Sequence, residues 1–260
     1  MQRLESNKMS GDRTIFYYET VDSTNTKAKE YAKVDKKQEA VFVAECQTKG
    51  RGRNGRKWVS PKAGNLYFSI LLRPNIRIQQ TPMLTLVMGY AISLAIEKMT
   101  GLCTQIKWPN DLVINGKKVC GILTEMRTME NAVDYVVIGA GINVGMKSVT
   151  QEIEDVATSI KLEGVKEMDT RELLACILQE FEKQYRVFLK DMNLRSICKG
   201  YNAKLVNVGR EILVIDKEEE YVARTDGIND KGELLIERQD GEKEKISSGE
   251  VSVRGVCGYV

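Results

Sequence analysis

Short apolar runs and longer apolar stripes alternate along this chain, and their periods separate strands from helices. Thr14-Ile-Phe-Tyr-Tyr18 reads as a first strand, closed by Glu19 and Thr20. Ala40 to Cys46 is apolar at nearly every position, which places a strand buried on both faces that delivers Gln47 into a loop. Leu66 to Leu72 and Tyr135 to Val144 repeat that texture, the latter ending in small residues where a ligand can approach the backbone. Two stretches carry the helical period instead. From Thr81 as cap and Pro82 in the first turn, Leu84, Val87, Met88, Ala91, Ile92, Ala95, Ile96 and Met99 form one wide stripe, and Gly101 ends it. From a cap at Asp169, Leu173, Leu174, Ile177, Leu178, Phe181, Tyr185, Phe188 and Leu189 form another. A shorter helix spans Lys27 to Lys33 with Ala28, Tyr31 and Ala32 on one face.

Gln105 to Ile114 reads as a strand broken by Trp-Pro-Asn-Asp, because proline removes a ladder hydrogen bond. Asn115-Gly116 is a hairpin turn, and Lys117 to Glu125 is the partner strand, bringing Lys107, Asn110 and Asp111 near Lys118. After about Gly200 the pattern changes to short alternating segments, Lys204 to Val208, Glu211 to Ile215, Glu220 to Thr225 and Glu233 to Glu237, separated by Gly- and Asp-rich turns. That is the size of a small SH3-like β-barrel. The expected division is a loose tail over 1–13, a catalytic domain over 14–198 and the small domain over 199–260.

Composition excludes more than it selects. The chain has no histidine, so there is no Ser-His-Asp triad and no Cys-His pair. Six cysteines stand far apart without a C-x-x-C pair, which argues for reduced, mostly buried thiols and against zinc. No signal peptide opens the sequence and no membrane-length apolar run is expected, so the expected location is the cytoplasm, with no membrane partner. Net charge is +3, yet Gln47 to Trp58 alone carries Lys49, Arg51, Arg53, Arg56 and Lys57 and no acid. The positive charge is therefore local rather than a nucleic-acid stripe.

That basic stretch also holds Gly50, Gly52 and Gly55, the spacing of a dinucleotide fingerprint. The fingerprint requires a helix straight after its last glycine, whereas this chain runs on through Pro61 and Gly64 into a strand. A kinase loop is excluded by the missing His-Arg-Asp. What remains is a glycine loop whose N–H groups and guanidinium forks can hold a carboxylate or phosphate, or else a solvated basic hairpin. Asp22-Ser-Thr-Asn25 is equally open: Ser23 or Asp22 caps the helix, or the polar groups bind a small polar ligand. Asn110 and Asp111 either form a turn or offer oxygens suited to Mg²⁺.

Taken together, Asp22-Ser-Thr-Asn25, Gln47 with Gly50-Arg-Gly-Arg-Asn-Gly-Arg-Lys-Trp58, Lys107-Trp-Pro-Asn-Asp111, Lys118-Val-Cys-Gly121 and Gly139-Ala-Gly-Ile-Asn143 resemble the biotin–protein ligases, in that family's order and over residues from about 15 to 260. The resemblance implies an α+β fold: a mixed-sheet catalytic domain flanked by helices, of the class II synthetase-like, biotin/lipoate ligase type, with a small C-terminal SH3-like barrel. It implies a biotin site of Ser23, Thr24, Asn25, Gln47, Arg51, Gly52, Arg53, Lys118, Gly121, Gly139 and Gly141. ATP falls to Arg53, Arg56, Trp58, Lys107, Asn110, Lys118 and Asn143, Mg²⁺ to Asp111, and the chemistry to Lys118, Arg53, Arg51 and Asp111. Asn54 departs from the arginine of many relatives, which removes a third cation there.

The implied reaction joins biotin and ATP to biotinyl-5′-AMP and then passes the biotinyl group to one lysine of a biotin carboxyl carrier protein. Such chemistry suits a chain without histidine, because a carboxylate nucleophile needs alignment and charge neutralisation rather than a base. With about a dozen residues ahead of the first strand, the chain resembles the short group lacking a DNA-binding helix-turn-helix, and no operator binding is expected. Homodimerisation stays open. Two rivals are a lipoate or octanoate protein ligase or transferase, and a nucleic-acid module with a basic hairpin and terminal barrel.

Overall fold

The computed structural model describes residues 13–62, 64–148, 153–215, 219–248, 252–255 and 259–260. Strand β1 (Thr14–Val21) leads to helix α1 (Thr24–Val34), then β2 (Ala40–Gln47), β3 (Leu66–Leu72) and the long helix α2 (Thr81–Thr100). A meander follows: β4 (Gln105–Lys107), β5 (Asp111–Ile114), β6 (Lys117–Met129) and β7 (Ala132–Ile142). Helices α3 (Thr170–Asp191) and α4 (Arg195–Lys204) lead into β8 (Glu211–Ile215), β9 (Glu220–Ile228), β10 (Leu234–Arg238), β11 (Lys243–Ile246) and β12 (Ser252–Gly255).

The first seven strands form one mixed sheet in the order β1-β2-β3-β7-β6-β5-β4, with β1 and β2 parallel and every other neighbour antiparallel. Both its faces are covered, which is why β3 is buried at all seven positions. One face, with Phe68, Ile70, Val136 and Ile138, packs on α2 and α3. The other, with Phe42, Leu71, Tyr135 and Val137, packs on the alanines Ala28 and Ala32 of α1. The last five strands form an antiparallel sheet in the order β11-β10-β9-β8-β12.

Several boundaries differ from the sequence reading, each for a tertiary reason. Residues 1–12 of the expected tail lie outside the described residues, but Arg13 is not loose: it reaches Glu39 and Glu182, each at 2.8 Å. Pairing with β2 carries β1 past Glu19 and Thr20 to Val21. Trp-Pro-Asn-Asp does not break one strand; it is the turn between β4 and β5, with a cis bond at Trp108-Pro109. Thr81 is the first helical residue of α2, behind Gln80 as cap. Leu189 faces solvent rather than the α3 stripe.

Lys204 to Val208 is not a strand. The preceding segment is helix α4, whose Tyr201 is fully buried against Tyr90 of α2. The division drawn at 198 thus falls inside α4. The two sheets also meet directly: Trp108 Nε1 donates to Gly232 O at 3.1 Å, and Val206 N to Ile106 O at 2.9 Å. The span Ile78–Thr100 is long and apolar enough to cross a membrane, contrary to the expectation of no such run. Here it is a core helix, with Leu84, Val87, Met88, Ala91, Ile92, Ala95 and Ile96 all buried.

Candidate functional site

The register of the mixed sheet creates the site. Tyr67 of β3, Gly141 of β7 and Gly121 of β6 lie side by side, as do Ser69, Gly139 and Leu123. Between Tyr67 and Leu123 on the α1 face, Ser69, Gly139, Gly141 and Gly121 thus leave a patch without bulky side chains, where Asn25 of α1 lies against Gly139. A cleft of about 490 Å³ opens over this glycine floor. A Cβ at Gly139 would coincide with the Asn25 amide, and one at Gly141 would run into the Trp58 indole. These positions carry glycine because another group lies flat against the backbone.

The inner end of the cleft is a saturated polar network. Ser23, Thr24 and Asn25 are buried, and Ser69 is wholly so. Thr24 N donates to Gln47 Oε1 at 2.9 Å, and Gln47 Nε2 donates to Ser60 Oγ at 2.9 Å. Ser69 Oγ lies 2.7 Å from Thr24 Oγ1 and 2.6 Å from Asn25 Oδ1. Asn25 Nδ2 donates to Glu125 Oε2 at 2.8 Å. Burial works against the Glu125 charge, but the hydrogen bonds from Lys29 and Asn25, with Arg51 nearby, outweigh it and hold the carboxyl below its ordinary range. Ser23 sits at the cap position of α1 without a side-chain capping bond, so its hydroxyl is not consumed by the helix.

The outer end is cationic. Lys118 Nζ stands 2.7 Å from Asp111 Oδ1, placed by the β5–β6 hairpin, in an ion pair without directed hydrogen-bond geometry. Asn115 and Gly116 both take positive φ (50° and 77°), the conformation that Asn-Gly favours. Lys118 Nζ also lies 5.2 Å from the Trp58 ring, which rests on Gly121 and Gly141 with its Nε1 buried and unpartnered. Arg53 reaches Asn110 Oδ1 at 3.2 Å and the Ser248 carbonyl of the small domain at 2.5 Å; burial lowers its guanidinium, with Asp111 opposing. Lys107 is 6% exposed, and burial pushes its ammonium down to about 8. Tyr259 lays its ring 3.5 Å from Lys107 Nζ and donates its hydroxyl to Asp111 Oδ2.

Of the residues singled out in the sequence, Ser23, Thr24, Asn25, Gln47, Arg51, Gly52, Arg53, Arg56, Trp58, Lys107, Asn110, Asp111, Lys118, Gly121, Gly139 and Gly141 line this one cleft. Asn143 does not; its side-chain amide turns to the Thr158 carbonyl at 3.0 Å. Arg51 is exposed and bonds Thr26 Oγ1 at 3.1 Å, so it stands at the rim. The sequence reading missed Ser69, Glu125, Arg254 and Tyr259. A lone serine inside an otherwise apolar strand was a legible signal for the first; the others depend on long-range placement.

The donor set does not form a metal cage. No group of three or more Cys, Asp or Glu side chains able to hold an ion occurs among the described residues. Among the described residues Asp111 is the one carboxylate lining this end, with Lys118 and Tyr259 on its two oxygens.

With that geometry in hand, the likenesses are informative. Residues 17–143 match the Biotin/lipoate A/B protein ligase family, and residues 208–254 match the Biotin protein ligase C terminal domain. The chain is 36% identical over 241 residues to the bifunctional ligase/repressor BirA of Bacillus spizizenii, covering 92% of this chain and 74% of that protein. It is 30% identical over 239 residues to the biotin--[acetyl-CoA-carboxylase] ligase of Paracoccus denitrificans, covering 90% and 98%. A biotin protein ligase from Aquifex aeolicus, solved with biotin and ATP, superposes with a TM-score of 0.81 at 34% identity, covering 93% of this chain and 98% of that one.

Proposed function

This chain belongs to the biotin protein ligase family, and from that premise we propose how its own residues activate biotin with ATP and pass the biotinyl group to a lysine of a carboxylase carrier domain. One observation supports the reading above others: a hydrogen-bonded polar pocket on a glycine floor opens directly onto a cluster of cations, Lys107 buried and Lys118 and Arg53 half-buried.

In the first step an oxygen of the biotin carboxylate attacks the α-phosphorus of ATP. The bond to the β-phosphate bridging oxygen breaks and diphosphate leaves. Two anions must meet, so the principal task is to neutralise and align them. Lys118 lies between the polar pocket and Asp111, where its ammonium faces the carboxylate and the α-phosphate together. Arg53 and Lys107 hold the remaining phosphate charge. In the second step the carrier's ε-amine attacks the acyl carbon, the acyl–oxygen bond breaks, and AMP departs with its electron pair. The amine's surplus proton has one nearby carboxylate to go to, Asp111.

The polar pocket takes the neutral ureido end of biotin, with Thr24, Asn25 and Gln47 fixed by their own hydrogen bonds before ligand arrives and the Ser23 hydroxyl left to the ligand. Trp58, flat on Gly121 and Gly141, closes the middle. Mg²⁺ enters this scheme as part of the nucleotide, a role that needs only one or two protein carboxylates. All these groups come from one chain, so the scheme calls for no second copy. With ATP and a carboxylase carrier as its partners, we place this chain in the cytoplasm. The test is transfer: with ATP, labelled biotin and a carrier domain, label should appear on one carrier lysine, and substituting that lysine should abolish it. Label that persists on the substituted carrier would refute the proposed acceptor.

A further inference from the structure

Lys107 is the most deeply buried charge in the cleft, and its surroundings are unusual. Among the described residues it forms no salt bridge, and neither do Arg56 or Arg254; the field of Asp111 favours its charge, while those of Lys118, Arg254 and Arg56 oppose it. Its close partner is instead an aromatic face, the Tyr259 ring at 3.5 Å. A ring quadrupole is a weak substitute for an anion, offering a fraction of what a phosphate gives an ammonium. The same tyrosine occupies the outer oxygen of Asp111 through its hydroxyl. Its seat is built from two glycines. A Cβ at Gly255 of β12 would collide with the backbone of Val260, and one at Gly116 would lie 3.3 Å from a Val260 methyl.

We propose that Tyr259 is a displaceable plug: it fills the place beside Lys107, Arg56 and Arg254 that the ligase reading gives to the phosphates of ATP, and nucleotide must expel it. The proposal rests on that reading and adds to it an occupant that competes with the nucleotide. Three cations that form no salt bridge among the described residues, with Asp111 the one anion whose field reaches Lys107 there, make a place for a polyanion. A side chain that covers the innermost of them must leave when the anion arrives. Removing a competitor tightens binding by the share of molecules it had closed.

Calorimetric titration of sodium diphosphate into the full chain tests this, with Tyr259→Ala, Tyr259→Phe, Gly255→Ala and Lys107→Ala measured beside the unsubstituted protein. Tyr259→Ala should bind diphosphate about fivefold more tightly, the change that about 1 kcal/mol of aromatic contact converts to. Tyr259→Phe, which keeps the ring on Lys107, should fall between. Gly255→Ala, which leaves Tyr259 intact but pushes its segment out of its seat, should shift in the same direction. Lys107→Ala should weaken diphosphate at least tenfold. A merely structural tyrosine would behave oppositely, its loss weakening the anion; equal or weaker diphosphate binding by both Tyr259→Ala and Gly255→Ala overturns the proposal. Biotin is titrated into the same samples. If it fails to bind the unsubstituted chain, the ligase reading fails, while a tighter diphosphate complex in Tyr259→Ala still supports displacement.

Discussion

The two ends of the cleft are built on opposite principles. At the inner end Thr24, Asn25, Gln47 and Ser69 satisfy one another in a buried network. At the outer end Lys107 and Arg53 are held by an aromatic ring, a side-chain amide and a carbonyl. The first arrangement is complete without ligand, so its shape is paid for in folding. The second places charge in low dielectric with neutral contacts and only the field of Asp111 to offset it, a cost that a further anion relieves. The neutral, weakly polar end of a substrate is thus met by a fixed mould, and the highly charged end by cations with replaceable partners.

The largest way to break this contrast is at the junction. Lys118→Ala should slow adenylate formation by two to three decades, because a cation aimed at developing charge contributes about 3 kcal/mol. Its melting temperature should fall as well, since Asp111 Oδ1 is buried and loses its cation, so the rate is compared on protein shown to be folded. Near-normal rates in the variant would reduce Lys118 to a strand lysine.

Gly139→Ala attacks the mould. The added methyl has no room beside the Asn25 amide, so the network must shift. Overpacking of this kind costs about 2 kcal/mol, and biotin affinity should fall about thirtyfold with a lowered melting temperature. Nucleotide binding measured without biotin should hardly change. Equal loss of both ligands would erase the distinction between the two ends.

Arg53→Gly attacks the other end. Retention of the adenylate should suffer more than its synthesis, with dissociation rising about tenfold for a loss of about 1.4 kcal/mol. Escaped biotinyl-AMP would then acylate bystander lysines, seen as biotin on albumin incubated with the reaction. A variant that makes adenylate but labels albumin no more than its parent would remove Arg53 from this role.

The smallest effect is in pH. Lys107 sits at about 8 in the folded chain against an ordinary 10.5. Between these values the folded form is neutral while the unfolded form is charged, so the unfolded chain binds more protons and stability rises with pH across that window. Below about 8 both forms are charged and the burial penalty is felt in full. Nucleotide binding runs the other way, because a phosphate needs the ammonium. ATP affinity should fall severalfold from pH 7 to 9, with proton uptake on binding near pH 8.5 shown by calorimetry in buffers of different ionisation heat. Lys107→Arg should flatten the profile.

The parts of the site carried by local motifs were legible in the sequence. Asp22 to Asn25 stands at a helix start and Gly139 and Gly141 mark a strand stripped of side chains at the inner end, and Asn115-Gly116 fixes the hairpin that pairs Asp111 with Lys118 at the outer one. The outer end was less legible. Tyr259 meets Asp111 across 148 residues of chain, and no period or spacing announces such a contact. Helix α4 escaped for a related reason: it is short and polar on average, and what makes it a helix is Tyr201 packing on Tyr90. Asn143 was placed in the site by its motif, but it lies just past the end of β7, where no strand alternation fixes a side chain, and its amide turns to Thr158 instead of lining the cleft.

The most direct test of the account is exchange of labelled diphosphate into ATP, with biotin, lipoate, octanoate or no acid supplied to the purified chain. Reversible adenylate formation predicts exchange with biotin alone, because the mould selects the acid before the cations meet the phosphates. Exchange without any acid, or as fast with lipoate or octanoate as with biotin, would contradict it.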